Sequence, residues 1–216
     1  MDFTRQEELF DPAQYGGIPI TLIGAGSIGS FSGLFLAKVG FRDITVYDDD
    51  IVEEHNIPNQ LYSPSSIGTL KVMALHDIIL GLTGTSINSI AGKFTAQQLK
   101  GIVISAVDSM RARRNIFKKS MATSGILAFI DPRMGGWDYR VYTIRPGQEK
   151  AYSWYPDSET VREGCSGRSV IFTVACVASL VTTVTCSVAM KMHCPTEILG
   201  EAKTISLVTP ETRGNL

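Results

Sequence analysis

The stretch "IPITLIGAGSIGSFSGLFLAKVG", residues 18–40, narrows the choice of fold more than any other part of the chain. A short apolar run ends in glycines, and an apolar-periodic helix pattern follows, closed by Gly40. "DITVYD", residues 43–48, is a second strand. Strand, glycine turn, helix and strand make a βαβ unit, which crosses over right-handed and begins a parallel sheet. Continuous apolar runs suit strands covered on both faces, so helices are expected on either side.

The remaining pattern extends that sheet. "LKVMALHDIILG" reads as a helix, "SINSIAG" as a weak strand and "GIVISAV", 101–107, as a strong buried one. The basic stretch "SMRARRNIFKKSMA" is helical. "GILAFID", 125–131, and "YRVYTI", 139–144, are strands joined by a "PRMGGW" turn, and the second alternates as an antiparallel addition would. A short helix is expected over 2–10, a polar loop over 147–164 and a last strand at "KTISLV". The expected class is an α/β, Rossmann-like open sheet, mostly parallel, with an antiparallel extension and flanking helices. One domain is expected over 1–216.

"SVIFTVACVASLVTTVTCSVAM", 169–190, carries no charge and is long enough to span a bilayer. Seven of its 22 residues are Ser or Thr, however, and a helix buried between a sheet and a partner subunit has the same pattern. The buried reading is preferred, and a homodimer would cover such a helix. A formal net charge of −1 argues against a broad surface for nucleic acid or anionic lipid. Residues 1–15 are polar with no apolar core, so no secretory signal is expected there. Free thiols in a cytoplasmic setting fit the four cysteines, 165, 176, 186 and 194. None forms a CxxC pair, so no zinc is expected. His55, His76 and His193 share no spacing for a metal or a triad.

Gly24, Gly26 and Gly29 form GxGxxG between strand and helix. Glycines let the backbone approach a phosphate, and the helix N-terminus offers N–H groups and a positive dipole end. Tight helix–strand packing is the bland alternative, and the motif does not name the nucleotide. Asp48 ends the second strand, where an acid accepts hydrogen bonds from ribose hydroxyls. It opens a run of three acids, 48–50, with no Lys or Arg between Arg42 and Lys71. A solvated acidic loop is the plain reading; close carboxylates relieved by an intervening cation are the sharper one. Asp108 closes the third strong strand and is placed for Mg²⁺. Lys71 and Arg113 are candidate phosphate contacts, whereas Arg111, Arg114, Lys118 and Lys119 read as surface charge.

Taken together, the glycine turn, "DDD" at 48–50, Val52, "HNIPNQ" at 55–60, "GTLK" at 68–71 and "VDSMRAR" at 107–113 occur in one order and spacing. This resembles the ubiquitin-activating-enzyme-like superfamily of ThiF and MoeB type, whose pattern runs GxGxxG, D-x-D-x-V, N-L-x-R-Q, G-x-x-K, D-x-x-x-x-R. "FTRQ", 3–6, also resembles that family's opening R-Y-x-R-Q. The resemblance implies an ATP-dependent adenylyltransferase that activates the C-terminal carboxylate of a small ubiquitin-like protein or peptide. It further implies that Asp48 holds the ribose, that Asp50, Asn56, Gln60, Lys71 and Arg113 surround the phosphates, and that Asp108 carries Mg²⁺. Arg5 would reach into a neighbouring subunit's site.

Two departures stand out. The family's Arg in N-L-x-R-Q is Asn59 here, leaving Arg113 and Arg5 to compensate. Many members pass the acyl group to a cysteine; Cys165 in "GCSGRS", near Arg162 and Arg168, stands roughly where relatives carry one. Its neighbours favour thiolate, with an inert packing cysteine as the alternative. Cys176, Cys186 and Cys194 read as structural. A non-catalytic dimeric scaffold would explain Asn59. An NAD-dependent oxidoreductase would explain only the glycine turn and Asp48.

Overall fold

The computed structural model describes residues 1–95, 98–152 and 170–209. After a short α1 (Pro12–Tyr15), the chain runs β1 (Ile20–Ile23), α2 (Ser27–Val39), β2 (Ile44–Asp48), α3 (Lys71–Thr83), β3 (Asn88–Ala91) and β4 (Gly101–Ser105). It continues through α4 (Met110–Ala122), β5 (Ile126–Gly135), β6 (Asp138–Ile144), α5 (Ile171–Ala189), β7 (Glu197–Glu201) and β8 (Ser206–Val208). The described strands form one sheet in the order β3-β2-β1-β4-β5-β6-β7-β8. Pairing is parallel from β3 to β5 and antiparallel from β5 to β8. The expected class is the observed one.

The strand order reverses between β1 and β4, where successive crossovers leave in opposite directions. Leu22, Val46, Ile104 and Ile130 meet α2, α3 and α5 on one face. Val103, Phe129 and Tyr142 meet Ile116 and Phe117 of α4 on the other. Every residue of β1 and β4 is buried, which is why both read as uninterrupted apolar runs. α2 stops at Gly40, whose φ of 112° bends the chain left-handed while its N–H bonds Leu36 and Ala37 carbonyls.

Three expectations change. Residues 4–9 form turns, with the N-cap Asp11 and Pro12 starting a separate helix. β5 continues through "PRMG", so the turn shrinks to Gly136–Trp137, with Gly136 at φ 61°. Pro132 is tolerated because β4 pairs with β5 only as far as Ile130. β7, "EILGE", was hidden by its two glutamates; its register with β6 pairs Arg140 with Leu199 and buries Ile198 beside Val141.

α5 is long and apolar enough to cross a membrane, and half of it is buried in the protein. It packs on α2, β5 and β6. Its hydroxyls bond their own helix: Thr182 to the Ala178 carbonyl at 2.9 Å, Thr185 to Val181 at 2.7 Å, Ser187 to Thr183 at 3.1 Å. Hydroxyls satisfied in this way let most of the helix pack like an apolar one, although the buried Thr173 Oγ1 has no partner among the described residues.

Between β2 and α3 the chain leaves the sheet over residues 51–70 and returns beside its point of departure. Ile51 bridges Leu70, the Val52 N–H donates to the Thr69 carbonyl at 2.8 Å, and the Lys71 N–H donates to the Asp50 carbonyl at 2.9 Å.

Candidate functional site

Beyond the carboxyl ends of β1, β2 and β4 lies an open cavity of about 670 Å³. This is the switch point of the sheet, where ligands of open α/β folds bind. Gly24, Gly26, Asp48, Asp50, Asn56, Gln60, Lys71, Asp108 and Arg113 all line it.

Each glycine has a different reason. Gly24 has φ 98°, and a side chain there would strike the Ala106 backbone. A Cβ on Gly29 would overlap the Gly24 carbonyl, so Gly29 serves helix-to-turn packing and does not line the cavity. Gly26 has open space beside it, and a side chain there would project into the room before α2. No side chain caps α2, whose first N–H groups lack acceptors within the helix. An uncapped helix N-terminus beside a bare glycine is a cradle for an anion.

The acids are arranged, not merely crowded. Asp48 accepts the Ala25 N–H at 2.7 Å and the Asp50 N–H at 2.8 Å, which fixes its carboxylate at the end of β2. Burial pushes its pKa up, against those two N–H groups. Its oxygens lie within 4.8 Å of the carboxylates of Asp49 and Asp50. Lys71, buried at 7 % exposure, holds Asp50 at 2.8 Å, and Lys93 approaches Asp49 at 3.6 Å. Asn56 is buried; its Oδ1 accepts the Glu53 N–H at 2.9 Å. The Oε1 of Gln60 is buried without a partner among the described residues, an orphan that a bound hydroxyl or N–H would satisfy. Asp108, just past the end of β4, is exposed, lines the same cavity and makes no hydrogen bond or ion pair among the described residues. An unengaged carboxylate in the same cavity as a phosphate cradle suits Mg²⁺, which takes one or two carboxylates together with phosphate oxygens. Ile23, Phe94, Val107 and Ile116 supply an apolar wall.

Two candidates are not free ligands of the cavity. Arg113 is only 1 % exposed and its Nη1 donates to Asp131 and to the Ser105 and Pro132 carbonyls, so it is a core arginine at the cavity's base and not a free phosphate ligand. Arg5 is exposed in the N-terminal turns and is absent from the cavity. The adjacent Gln6 is tied to the Val39 carbonyl, at the far end of α2 from the glycine turn. Thirteen helical residues separate the two ends, about 20 Å, beyond an arginine's reach. Cys165 lies outside the described residues. Of the other cysteines Cys176 is exposed, not packed, while burial pushes the Cys186 thiol up to about 12 and raises that of Cys194.

Sequence reasoning missed Tyr62. Its buried hydroxyl donates to the Ala25 carbonyl at 2.6 Å, tying the 51–70 excursion to the glycine turn. Phe94 and Tyr47 pack edge-to-face at 5.6 Å beside the cavity. The end of the weak strand "SINSIAG" was the signal for Phe94, since β3 ends next to β2.

The model of the ThiF family matches residues 17–213. The SUMO-activating enzyme subunit uba-2 of Caenorhabditis elegans is 27 % identical over 161 residues, covering 69 % of this chain and 27 % of its own. The SAMP-activating enzyme E1 of Haloferax volcanii is 33 % identical over 64 residues, 29 % of this chain and 24 % of its own. The crystal structure of Escherichia coli MccB with ATP superposes with a TM-score of 0.77 at 15 % identity, covering 92 % of this chain and 64 % of MccB. This chain therefore spans about a quarter of those two curated relatives and just under two thirds of MccB.

Proposed function

The chain belongs to the ThiF family, and from that premise we propose that it is an ATP-dependent adenylyltransferase acting on the C-terminal carboxylate of a small ubiquitin-like protein or peptide. One observation carries the reading: an uncapped helix N-terminus, a fixed ribose-side acid at Asp48 and the buried cation Lys71 all face one cavity. The relatives named SUMO-activating and SAMP-activating enzymes support a protein modifier as substrate, and MccB with ATP supports the nucleotide.

The base packs against Phe94, Val107 and Ile116, and Asp48 accepts from the ribose. The N–H groups opening α2 hold phosphate oxygens, with Asn56 and Gln60 alongside. Lys71 exchanges part of its pairing with Asp50 for the phosphates. Mg²⁺, when bound at Asp108, supplies charge neutralisation for the pyrophosphate leaving group. A substrate carboxylate oxygen attacks the α-phosphorus in line. The new P–O bond makes an acyl adenylate, and the bond to the β-phosphate oxygen breaks with its electron pair leaving on pyrophosphate. No proton moves and no protein nucleophile is needed; positioning and charge provide the acceleration. Transfer to Cys165 would be a later, separable step in a cytoplasmic homodimer.

Asn59, which lines the cavity where the family has arginine, favours a second reading as a non-catalytic scaffold. One experiment separates these. Mg·ATP should raise the melting temperature far more than NAD, and protein plus substrate should exchange labelled pyrophosphate into ATP, lost in Asp108→Asn. ATP binding without exchange supports the scaffold; a larger shift with NAD removes the adenylation reading.

A further inference from the structure

Behind Arg113, which lines the cavity, lies a charged cluster that adenylation does not consume. Asp131, on β5, is completely buried. One of its oxygens meets Arg113; the other accepts from Arg133 Nε at 2.7 Å and from the Tyr152 hydroxyl at 2.5 Å. Arg133 Nη2 also donates to that hydroxyl at 2.9 Å, and its guanidinium lies 4.9 Å from the Tyr142 ring centre and 5.3 Å from that of Tyr152. Tyr152 stacks at 4.5 Å on Phe117 of α4. Burying such a cluster is costly, and apolar side chains of equal volume would usually stabilise a core as well. What the cluster offers instead is geometry.

That geometry converges on one loop. Residues 106–109 connect β4 to α4 and carry Asp108. Arg113 lies in the first turn of α4 and reaches back to the Ser105 carbonyl, the last of β4, at 3.0 Å, and to the Pro132 carbonyl of β5 at 2.9 Å. The arginine thus closes the loop from beneath, and Asp131 holds the arginine. Ser109 caps the helix above it, accepting the Ala112 N–H at 3.3 Å. Asp108 itself has no hydrogen bond or ion pair among the described residues, so its placement depends on this loop. All three bonds leave from one nitrogen, Nη1, so the arginine's length carries that nitrogen from α4 to the ends of β4 and β5, and its charge meets Asp131 there.

We propose that Arg113, held by Asp131, Arg133 and Tyr152, is a positioning residue that sets the metal-binding geometry of Asp108. The proposal rests on the adenylation reading for the metal but not for the clasp. Its test uses Arg113→Lys and Tyr152→Phe, the second keeping the ring against Phe117 should the first fail to fold. Amide hydrogen exchange is followed at residues 106–110 and, as a control, in α2. Calorimetry measures affinity for the non-hydrolysable ATP analogue AMPCPP with and without Mg²⁺, beside wild type and Asp108→Asn. The expected result is faster exchange confined to 106–110, metal-free affinity within about twofold of wild type, and a metal-dependent gain cut about 10–100-fold in Arg113→Lys, the usual cost of losing a residue that orients a metal ligand. Tyr152→Phe should move both readouts the same way by less. Folded variants that keep wild-type exchange and the full metal-dependent gain would overturn the clasp. A wild-type protein that gains nothing from Mg²⁺ would instead refute Asp108 as the metal site, and the proposal with it.

Discussion

Replacing Tyr62 with phenylalanine deletes one oxygen atom and should be felt in both stability and nucleotide affinity. The ring is 4 % exposed and Ala25 is completely buried, so the hydroxyl's bond to the Ala25 carbonyl is shielded from water. Phenylalanine keeps the packing and leaves that carbonyl without its donor. An unsatisfied buried acceptor costs about 1–3 kcal/mol. For a domain of this size each kcal/mol lowers Tm by about 2–4 °C. The second effect follows from the planarity of the peptide: a carbonyl and the next N–H point in opposite directions. Drawing the Ala25 carbonyl inward toward Tyr62 aims the Gly26 N–H the other way, at the cavity that Gly26 lines. Freed of Tyr62, that peptide can rotate, and ATP affinity should fall by about tenfold, or about 1.4 kcal/mol. Urea denaturation gives the first quantity and calorimetric titration the second. Because burial pushes the Tyr62 pKa well up, the hydroxyl stays protonated, and both losses should be constant between pH 6 and about pH 9. Wild-type stability in the variant would refute the buried bond; lost stability with unchanged affinity would refute the aiming of Gly26.

Asp48→Asn should separate stability from function. Burial raises the Asp48 pKa in the folded protein, so the favourable contribution of its protonated form is present below the unfolded pKa and is lost as pH rises through the folded one. At pH 7 the ionised side chain therefore costs stability, but asparagine sets its Nδ2 against one of the two N–H groups that Asp48 accepts, so these effects oppose each other. The ligand-free Tm should then move little while the shift with Mg·ATP shrinks; an undiminished Mg·ATP shift contradicts this. For Arg5, dimers of Arg5→Ala and Asp108→Ala are each expected to be inactive, and exchanging their subunits should restore about a quarter of wild-type pyrophosphate exchange if arginines act across a two-fold interface. No recovery despite verified subunit exchange excludes that role.

What could be read from the sequence was local. Gly24 and Asp48 were legible because a steric rule and a strand end fix them within a few residues of chain. Arg113 was read as a phosphate ligand because its spacing from Asp108 gives only its position on α4. Its true partner, Asp131, lies 18 residues further on in β5, and only the pairing of β4 with β5 brings them together. Tyr62 escaped for the same reason. Its acceptor is a main-chain carbonyl 37 residues away, and a carbonyl leaves no trace in residue type. β7 was obscured because a strand of two glutamates, a glycine and two apolar residues is recognisable only beside β6.

The closed neck of the 51–70 excursion makes it an interchangeable part. Asp50 and Lys71 stand on the two sides of that neck, joined by main chain and side chain alike, so the ends of the loop are already held together. Lengthening it between the exposed residues Ser63 and Ser65 then carries only the slow logarithmic penalty of a longer loop, about 0.6 kcal/mol per doubling. Insertions there can remodel what meets the cavity mouth without moving the acid or the lysine. A fold arranged this way can change what its rim admits while the floor of the cavity stays still.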